Sequence, residues 1–286
     1  MMKKAFKIAI VVLLLLGLGA VTALYISNSS IPVLEPKGMI GVKERELIIS
    51  ASLLMLIVVI PVFILTWAFA WKYRESNTKA KHAPDWEHNY IAEYCWWGVP
   101  VFIIIILAVI TWKSSHDLNP FTPLKSDKKP IEIQVIALDW KWLFIYPEQG
   151  IATVNFVQFP ENTPINFEIT SDAPMNSFWI PQLGGQIYAM PAMRSKLHLI
   201  AHETGSFRGV SANISGKGFA GMRFIAKSCT EEEFQRWAQD VKSSPNHLDL
   251  AAYNALMQPS EYHPVEYFKL SKPDLFEYVI MKYMAH

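Results

Sequence analysis

The sequence of 286 residues predicts a membrane α-helical hairpin joined to an extracytoplasmic all-β sandwich that ends in helices. The hairpin is expected to follow an N-terminal signal or anchor. Three observations carry this reading. Two long apolar windows, Leu47–Trp71 and Tyr94–Trp112, contain no charged residue. Beyond Lys129 the spacing of apolar residues shortens to the two-residue period of half-buried strands. After Cys229 that spacing lengthens again and opens on a helix-capping signature.

Residues 1–26 form the first element. Lys3, Lys4 and Lys7 precede the apolar stretch Ile8–Ile26, the order of a secretory n-region and h-region. Val21 and Ala23 suit the small positions before a cleavage point after Ala23. The length of the stretch suits an uncleaved anchor equally, and both readings stand. No cysteine lies around Ser27–Ser30 to accept a lipid.

Residues 40–115 make the hairpin. At 1.5 Å rise per residue, windows of 25 and 19 residues can each cross a hydrocarbon core of about 30 Å. Neither shows the polar face of a soluble core helix. Pro61 and Pro100 lie inside them, which neighbouring helices make tolerable in lipid. Trp67, Trp71, Trp96, Trp97 and Trp112 fall near the ends, where indoles favour the headgroup layer. Between the windows stand Lys72, Arg74, Lys79 and Lys81. Placing that loop in the cytoplasm sends everything after Trp112 to the other side.

Residues 125–228 read as the sandwich. Strands are expected at Ile131–Val135, Asp139–Tyr146, Asn155–Phe159, Ile165–Thr170, Lys196–Ala201 and Met222–Ala226, separated by Pro, Gly and Asn clusters. Residues 229–286 read as an aromatic-rich helical region. Thr230 with Glu233 caps a helix through Phe234, Trp237 and Val241. Further helices are expected over Leu250–Met257 and from Pro273.

Composition narrows the function. Hydrophobic residues make up 51% and charged residues 18%, against about 25% charged in ordinary soluble domains. Mean hydropathy is +0.18. A net charge of +1 provides no basic face for nucleic acid. The two cysteines, Cys95 and Cys229, make neither a disulfide framework nor a zinc site. Phosphate-loop, Gly-x-Ser-x-Gly and His-Glu-x-x-His patterns are absent. His198 and His202 are four apart, but in an extended strand that spacing spans about 13 Å, too far for one ion. They are expected to face solvent.

Two stretches say more: Pro174-Met-Asn-Ser-Phe-Trp-Ile-Pro-Gln-Leu183 and Gly209-Val-Ser-Ala-Asn-Ile-Ser-Gly-Lys-Gly-Phe-Ala-Gly-Met222. They resemble the extracytoplasmic domain of subunit II of the haem–copper respiratory oxidases. In the cytochrome c oxidases of that superfamily the region binds a dinuclear copper centre through an early His and the run Cys-x3-Cys-x3-His-x2-Met. A Glu carbonyl between the cysteines completes the set. In this sequence the early His position is Asn176, the cysteine positions are Ser211 and Ser215, and the carbonyl position is Asn213. The second His position is Phe219, and Met222 alone keeps a side chain that could bind copper. A serine hydroxyl cannot replace a thiolate at neutral pH, and Phe219 cannot coordinate. The domain is therefore expected to be a cupredoxin-like sandwich without copper, and no metal is expected on this chain.

Pro36-Lys-Gly38, Asp139-Trp-Lys-Trp142, Phe144–Asn155, Met175–Phe178 and Pro273-Asp-Leu-Phe276 look closest to subunit II of bo-type ubiquinol oxidases. That resemblance implies a non-redox subunit of a proton-pumping quinol:oxygen oxidoreductase in a bacterial plasma (inner) membrane, with the C-terminal domain on the periplasmic side. Haems, copper and quinol are then expected on subunit I. Partners would be subunit I, the other subunits and membrane lipid, with no cytochrome c and no nucleic acid. No complete active site is expected here. Trp140 and Trp142 match an aromatic cluster that cytochrome c oxidases use near electron entry, and packing is the alternative. Glu93 stands where the family places a proton-entry carboxylate; stabilising a helix N-terminus is the other reading. A membrane-anchored scaffold or solute-binding protein outside respiration is the rival function.

Overall fold

The computed structural model describes residues 13–14, 17–22, 24–25, 31–81, 83 and 88–284. Cleavage after Ala23 and the Ser27–Ser30 neighbourhood therefore lie outside the described residues. Two units result. One comprises the chain up to Val42 together with Pro123 onward, and the other is Lys43–Thr122.

The smaller unit holds two helices. Helix α1 (Met39–Lys72) begins in the larger unit and runs on through the smaller one, and α2 (Tyr90–Asp117) lies wholly within it. At 34 and 28 residues they extend about 51 and 42 Å, enough to cross a bilayer with turns to spare. Pro61 and Pro100 are accommodated without ending either helix. Asn89 caps α2, its side chain accepting from the Ala92 N–H at 3.0 Å; such a cap stabilises a helix by about 1 kcal/mol.

The larger unit is a sandwich of two sheets. Its strands are β1 (Ile131–Leu138), β2 (Lys141–Tyr146), β3 (Ile151–Val154), β4 (Phe156–Pro160), β5 (Ile165–Ser171) and β6 (Asn176–Trp179), then β7 (Ile187–Ala189), β8 (Ser195–Leu199), β9 (Gly205–Ser211), β10 (Arg223–Cys229), β11 (His247–Leu248) and β12 (Glu266–Leu270). One sheet runs β11-β12-β3-β2-β1-β5-β8 and the other β4-β10-β9-β6-β7. The pairs β1–β5 and β4–β10 are parallel, as a Greek-key crossing between sheets allows.

Every residue of β2 and β3 is buried, because their sheet is covered on both faces. Trp142, Phe144, Phe167, Phe178 and Phe224 pack as a group. The Trp142 and Phe178 rings meet edge-on at 5.3 Å, and Phe178 stacks on Phe224 at 5.0 Å. Each such contact adds about 0.5–1.5 kcal/mol beyond area burial. Ile136, Leu138, Leu143, Ile145, Ala152 and Val154, which alternate with those positions, join Phe268, Leu270 and residues of the last two helices of the chain in one apolar cluster.

The C-terminal helices are α3 (Glu231–Lys242), α4 (Leu250–Leu256) and α5 (Leu275–Lys282), of which α4 and α5 contribute to that cluster. Thr230 accepts from the Glu233 N–H at 3.3 Å, the cap its position predicts. The C-terminal region is nevertheless not purely helical. β12 pairs antiparallel with β3, Glu266 opposite Val154, and β11 joins it. Tyr-Phe-Lys-Leu has no strand partner nearby in sequence, so only the distant β3 reveals it. Strands β3, β6, β7 and β9 are likewise additional to the sequence expectation. The strand expected from Asp139 starts at Lys141 instead, because Trp140 adopts a positive φ of 64° in the preceding turn.

The chain before α1 and the first turn of that helix are held by the sandwich. The Lys37 N–H donates to Gln182 O at 2.7 Å, the Gly41 N–H to Leu183 O at 3.0 Å, and the His202 N–H to Lys37 O at 2.9 Å. Gly38 bridges Ala201. A Cβ there would stand 2.7 Å from the carbonyl oxygens of both Ile200 and Leu183, so only glycine permits this approach.

Candidate functional site

The six positions read from the sequence as a degenerate copper pattern lie on three connected pieces of backbone. Asn176 opens β6, Ser211 closes β9, and Asn213, Ser215, Phe219 and Met222 follow through a loop and a short 3-10 turn (Phe219–Gly221) into β10. Antiparallel pairing of β6 with β9 sets Phe178 opposite Ser211 and brings the two ends together.

Here several of the polar side chains are hydrogen-bonded. The Ser211 hydroxyl donates to Asn176 Oδ1 at 3.0 Å. The Asn176 amide donates to Pro174 O at 2.7 Å, and the Asn213 amide to Met175 O at 2.8 Å. The Ala212 N–H reaches Ser177 O at 3.0 Å. Asn176 and Ser211 are both buried, so these bonds satisfy groups that would otherwise be costly to desolvate. Ser215 Oγ is buried without a hydrogen-bond partner, and Met222 is buried as core filling. The set contains no thiolate and no imidazole; a lone thioether among amides and hydroxyls does not fit a dinuclear copper centre. Among the described residues, no cluster of three His, Cys, Asp or Glu side chains could hold a metal.

Trp140 and Trp142 have different surroundings. Trp142 belongs to the aromatic group between the sheets. Trp140 lies over the loop that carries the degenerate site, its indole N–H donating to Ser215 O at 3.2 Å. A Cβ on Gly218 would come within 2.3 Å of the Trp140 ring, so the glycine makes room for the indole. Of the two histidines expected to face solvent, His202 does so, but His198 is buried. Its Nδ1 lies 2.7 Å from Asn166 Oδ1 on the register-paired strand, and that partner permits burial.

In the smaller unit, Glu93 sits in the first turn of α2 with its side chain about one-third exposed. Its Oε1 is 3.4 Å from the Asn89 N–H and 3.5 Å from His88 Nδ1. The carboxylate therefore participates in the helix-end network and still reaches solvent.

One polar centre escaped the sequence reading. The Asp172 side chain is fully buried at the end of β5. It accepts from the Tyr253 hydroxyl at 2.6 Å, the Tyr283 hydroxyl at 2.6 Å and Lys282 Nζ at 2.8 Å. Burial, reinforced by hydrogen bonding to Asp172, raises the Tyr253 phenol well above its ordinary range and pushes Tyr283 up to about 12. Nearby, Lys141 is buried on β2 and donates to Leu256 O and Gln258 O, each at 2.7 Å, at the end of α4. Burial holds its ammonium below the usual lysine value, opposed by Asp139 and Glu266. Cations suit such a helix C-terminus. Both centres fasten the C-terminal region onto the larger sheet.

The COX Aromatic Rich Motif family matches residues 242–286. The cytochrome bo(3) ubiquinol oxidase subunit 2 of Pseudomonas aeruginosa is 55% identical over 92% of this chain and 80% of that protein. The ubiquinol oxidase subunit 2 of Acetobacter aceti is 49% identical over 93% of this chain and 87% of its own length. Among solved structures, the periplasmic domain of subunit II of cytochrome oxidase from Bradyrhizobium japonicum is similar at 23% identity. It covers 42% of this chain and 96% of that one, with a TM-score of 0.39.

Proposed function

The chain belongs to the ubiquinol oxidase subunit 2 family, and we propose that it is the non-redox second subunit of a proton-pumping quinol:oxygen oxidoreductase. In the reaction of that complex two quinols reduce one dioxygen to two waters and leave two quinones. Haems, copper and the quinol site are assigned to subunit I, with which this chain and the remaining subunits assemble in the bacterial plasma membrane. The sandwich is assigned to the periplasmic side, residues 40–115 to the membrane, and residues 1–26 to a signal or anchor.

The observation that carries the non-redox assignment is the donor set at Asn176, Ser211, Asn213, Ser215, Phe219 and Met222. Its polar members bond mainly to one another and to backbone, and cytochrome c would find no copper port. Electrons must then enter from quinol dissolved in the membrane. The test is purification of the complex in mild detergent, followed by metal analysis and a visible spectrum before and after separating the subunits. Haem in the complex and neither haem nor copper on this chain is expected. Stoichiometric copper on the separated chain would overturn the assignment.

For Glu93 the proposed role is proton collection at the cytoplasmic mouth of a path through subunit I. Support comes from its partial exposure and its place at the start of the charge-free part of α2, where a carboxylate stays hydrated while the helix behind it enters lipid.

A further inference from the structure

The two helices of the smaller unit flank an open cavity of about 390 Å³ at the end where both continue into the rest of the chain. Its walls carry Lys43 and Glu46 from α1 and Lys113 and Asp117 from α2, with Leu47 and Ile110 among the apolar residues. Spacings of three and four residues place each charged pair on one helix face. All four charged residues are exposed, yet none forms an ion pair with another described residue. Leu47 is the first residue of one charge-free window, and Ile110 lies two residues inside the end of the other. The cavity thus straddles the boundary between charged helix ends and membrane-facing surface.

We propose that this cavity binds the headgroup of a zwitterionic phospholipid bearing a primary ammonium, such as phosphatidylethanolamine. Its two cations and two anions match the two halves of such a head. Lys43 and Lys113 face the phosphodiester, and Glu46 and Asp117 accept from the ammonium N–H groups. Leu47 and Ile110 guide the start of an acyl chain. Phosphatidylcholine lacks the N–H donors, and phosphatidylglycerol lacks the cation that the two carboxylates require. This assignment rests on the hairpin spanning a membrane and is independent of the redox assignment.

The test uses the assembled oxidase, delipidated in detergent and supplied in turn with phosphatidylethanolamine, phosphatidylglycerol or phosphatidylcholine, with bound lipid counted by native mass spectrometry. Phosphatidylethanolamine is expected to be retained preferentially. Lys43→Gln together with Lys113→Gln should weaken its retention roughly 25-fold, about fivefold for each lysine near a membrane surface. Haem content and quinol turnover should not change. Should that pair of substitutions prevent assembly, Glu46→Gln with Asp117→Asn gives the second arm, in which preference over phosphatidylglycerol should fall by about tenfold. Equal retention of the three lipids, unchanged retention in the lysine variant, or a cross-link from Lys113 to another subunit with no lipid bound would each overturn the proposal.

Discussion

Replacing Asp172 by asparagine keeps the shape of the side chain and removes its charge. In the native protein the carboxylate accepts three hydrogen bonds, from Tyr253, Tyr283 and Lys282, while wholly buried. Hydrogen bonds to a charged group contribute about 1.5–3 kcal/mol each, less than additively. Lys282 is about one-third exposed and regains water when its partner is neutralised, so its share is only ~0–1 kcal/mol. The amide oxygen of asparagine can still accept from one tyrosine. Its NH₂ group faces the second hydroxyl, which must rotate to accept. The net loss should be about 2–3 kcal/mol for Asp172→Asn and about 3–5 kcal/mol for Asp172→Ala, which leaves both hydroxyls unpaired. Because the partners lie on α4 and at the end of α5, the loss should appear first as release of the C-terminal region. Thermal unfolding of the detergent-solubilised chain, with limited proteolysis scored for cleavage after residue 242, measures both. Tyr253→Phe should cost less on the Asp172→Asn background than on the native one, as a double-mutant cycle requires of coupled partners. An Asp172→Asn variant within about 0.5 kcal/mol of the native chain, with unchanged proteolysis, would refute the reasoning.

The same centre sets an alkaline limit. Tyr283 is raised above the unfolded phenol value to about 12, so the folded form holds its proton longer. That contribution is complete below about pH 10 and is lost as pH rises through the folded value. Stability measured from pH 9 to 12 should therefore fall, and Tyr283→Phe should flatten the decline. Gly38→Ala would force a Cβ to 2.7 Å from two backbone oxygens; it should cost about 1–3 kcal/mol, seen as a lowered melting temperature. Glu93→Gln should slow quinol oxidation per haem clearly and Glu93→Asp only partly, with assembly intact. Native turnover in the Gln variant would leave Glu93 as a helix-end group worth about 0.3–1 kcal/mol.

Where sequence spacing met a local physical rule, the structure follows it. Thr230 caps α3 because a side-chain oxygen three residues before a free N–H needs nothing from elsewhere in the chain. That Asn176, Ser211, Asn213, Ser215, Phe219 and Met222 carry no thiolate and no imidazole is legible for the same reason: donor chemistry belongs to the residue. The hydrogen bonds among them are not, since Asn176 and Ser211 are 35 residues apart and meet only through β6–β9 pairing. His198 failed as a solvent-facing residue because its cross-strand neighbour Asn166 was not identifiable before the register of β5 and β8 was known.

By itself, then, the sequence determined the two membrane-length helices, the sandwich class and the first C-terminal helix. Each depends on residue chemistry or on periodicity within a few turns of chain. Tertiary structure alone decided that β12 completes the larger sheet, that Trp140 and Trp142 serve separate neighbourhoods, and that Asp172 gathers partners 81, 110 and 111 residues away. Contacts of that separation leave no periodic trace, because burial of a polar group is stabilised by whichever donors the finished fold delivers to it.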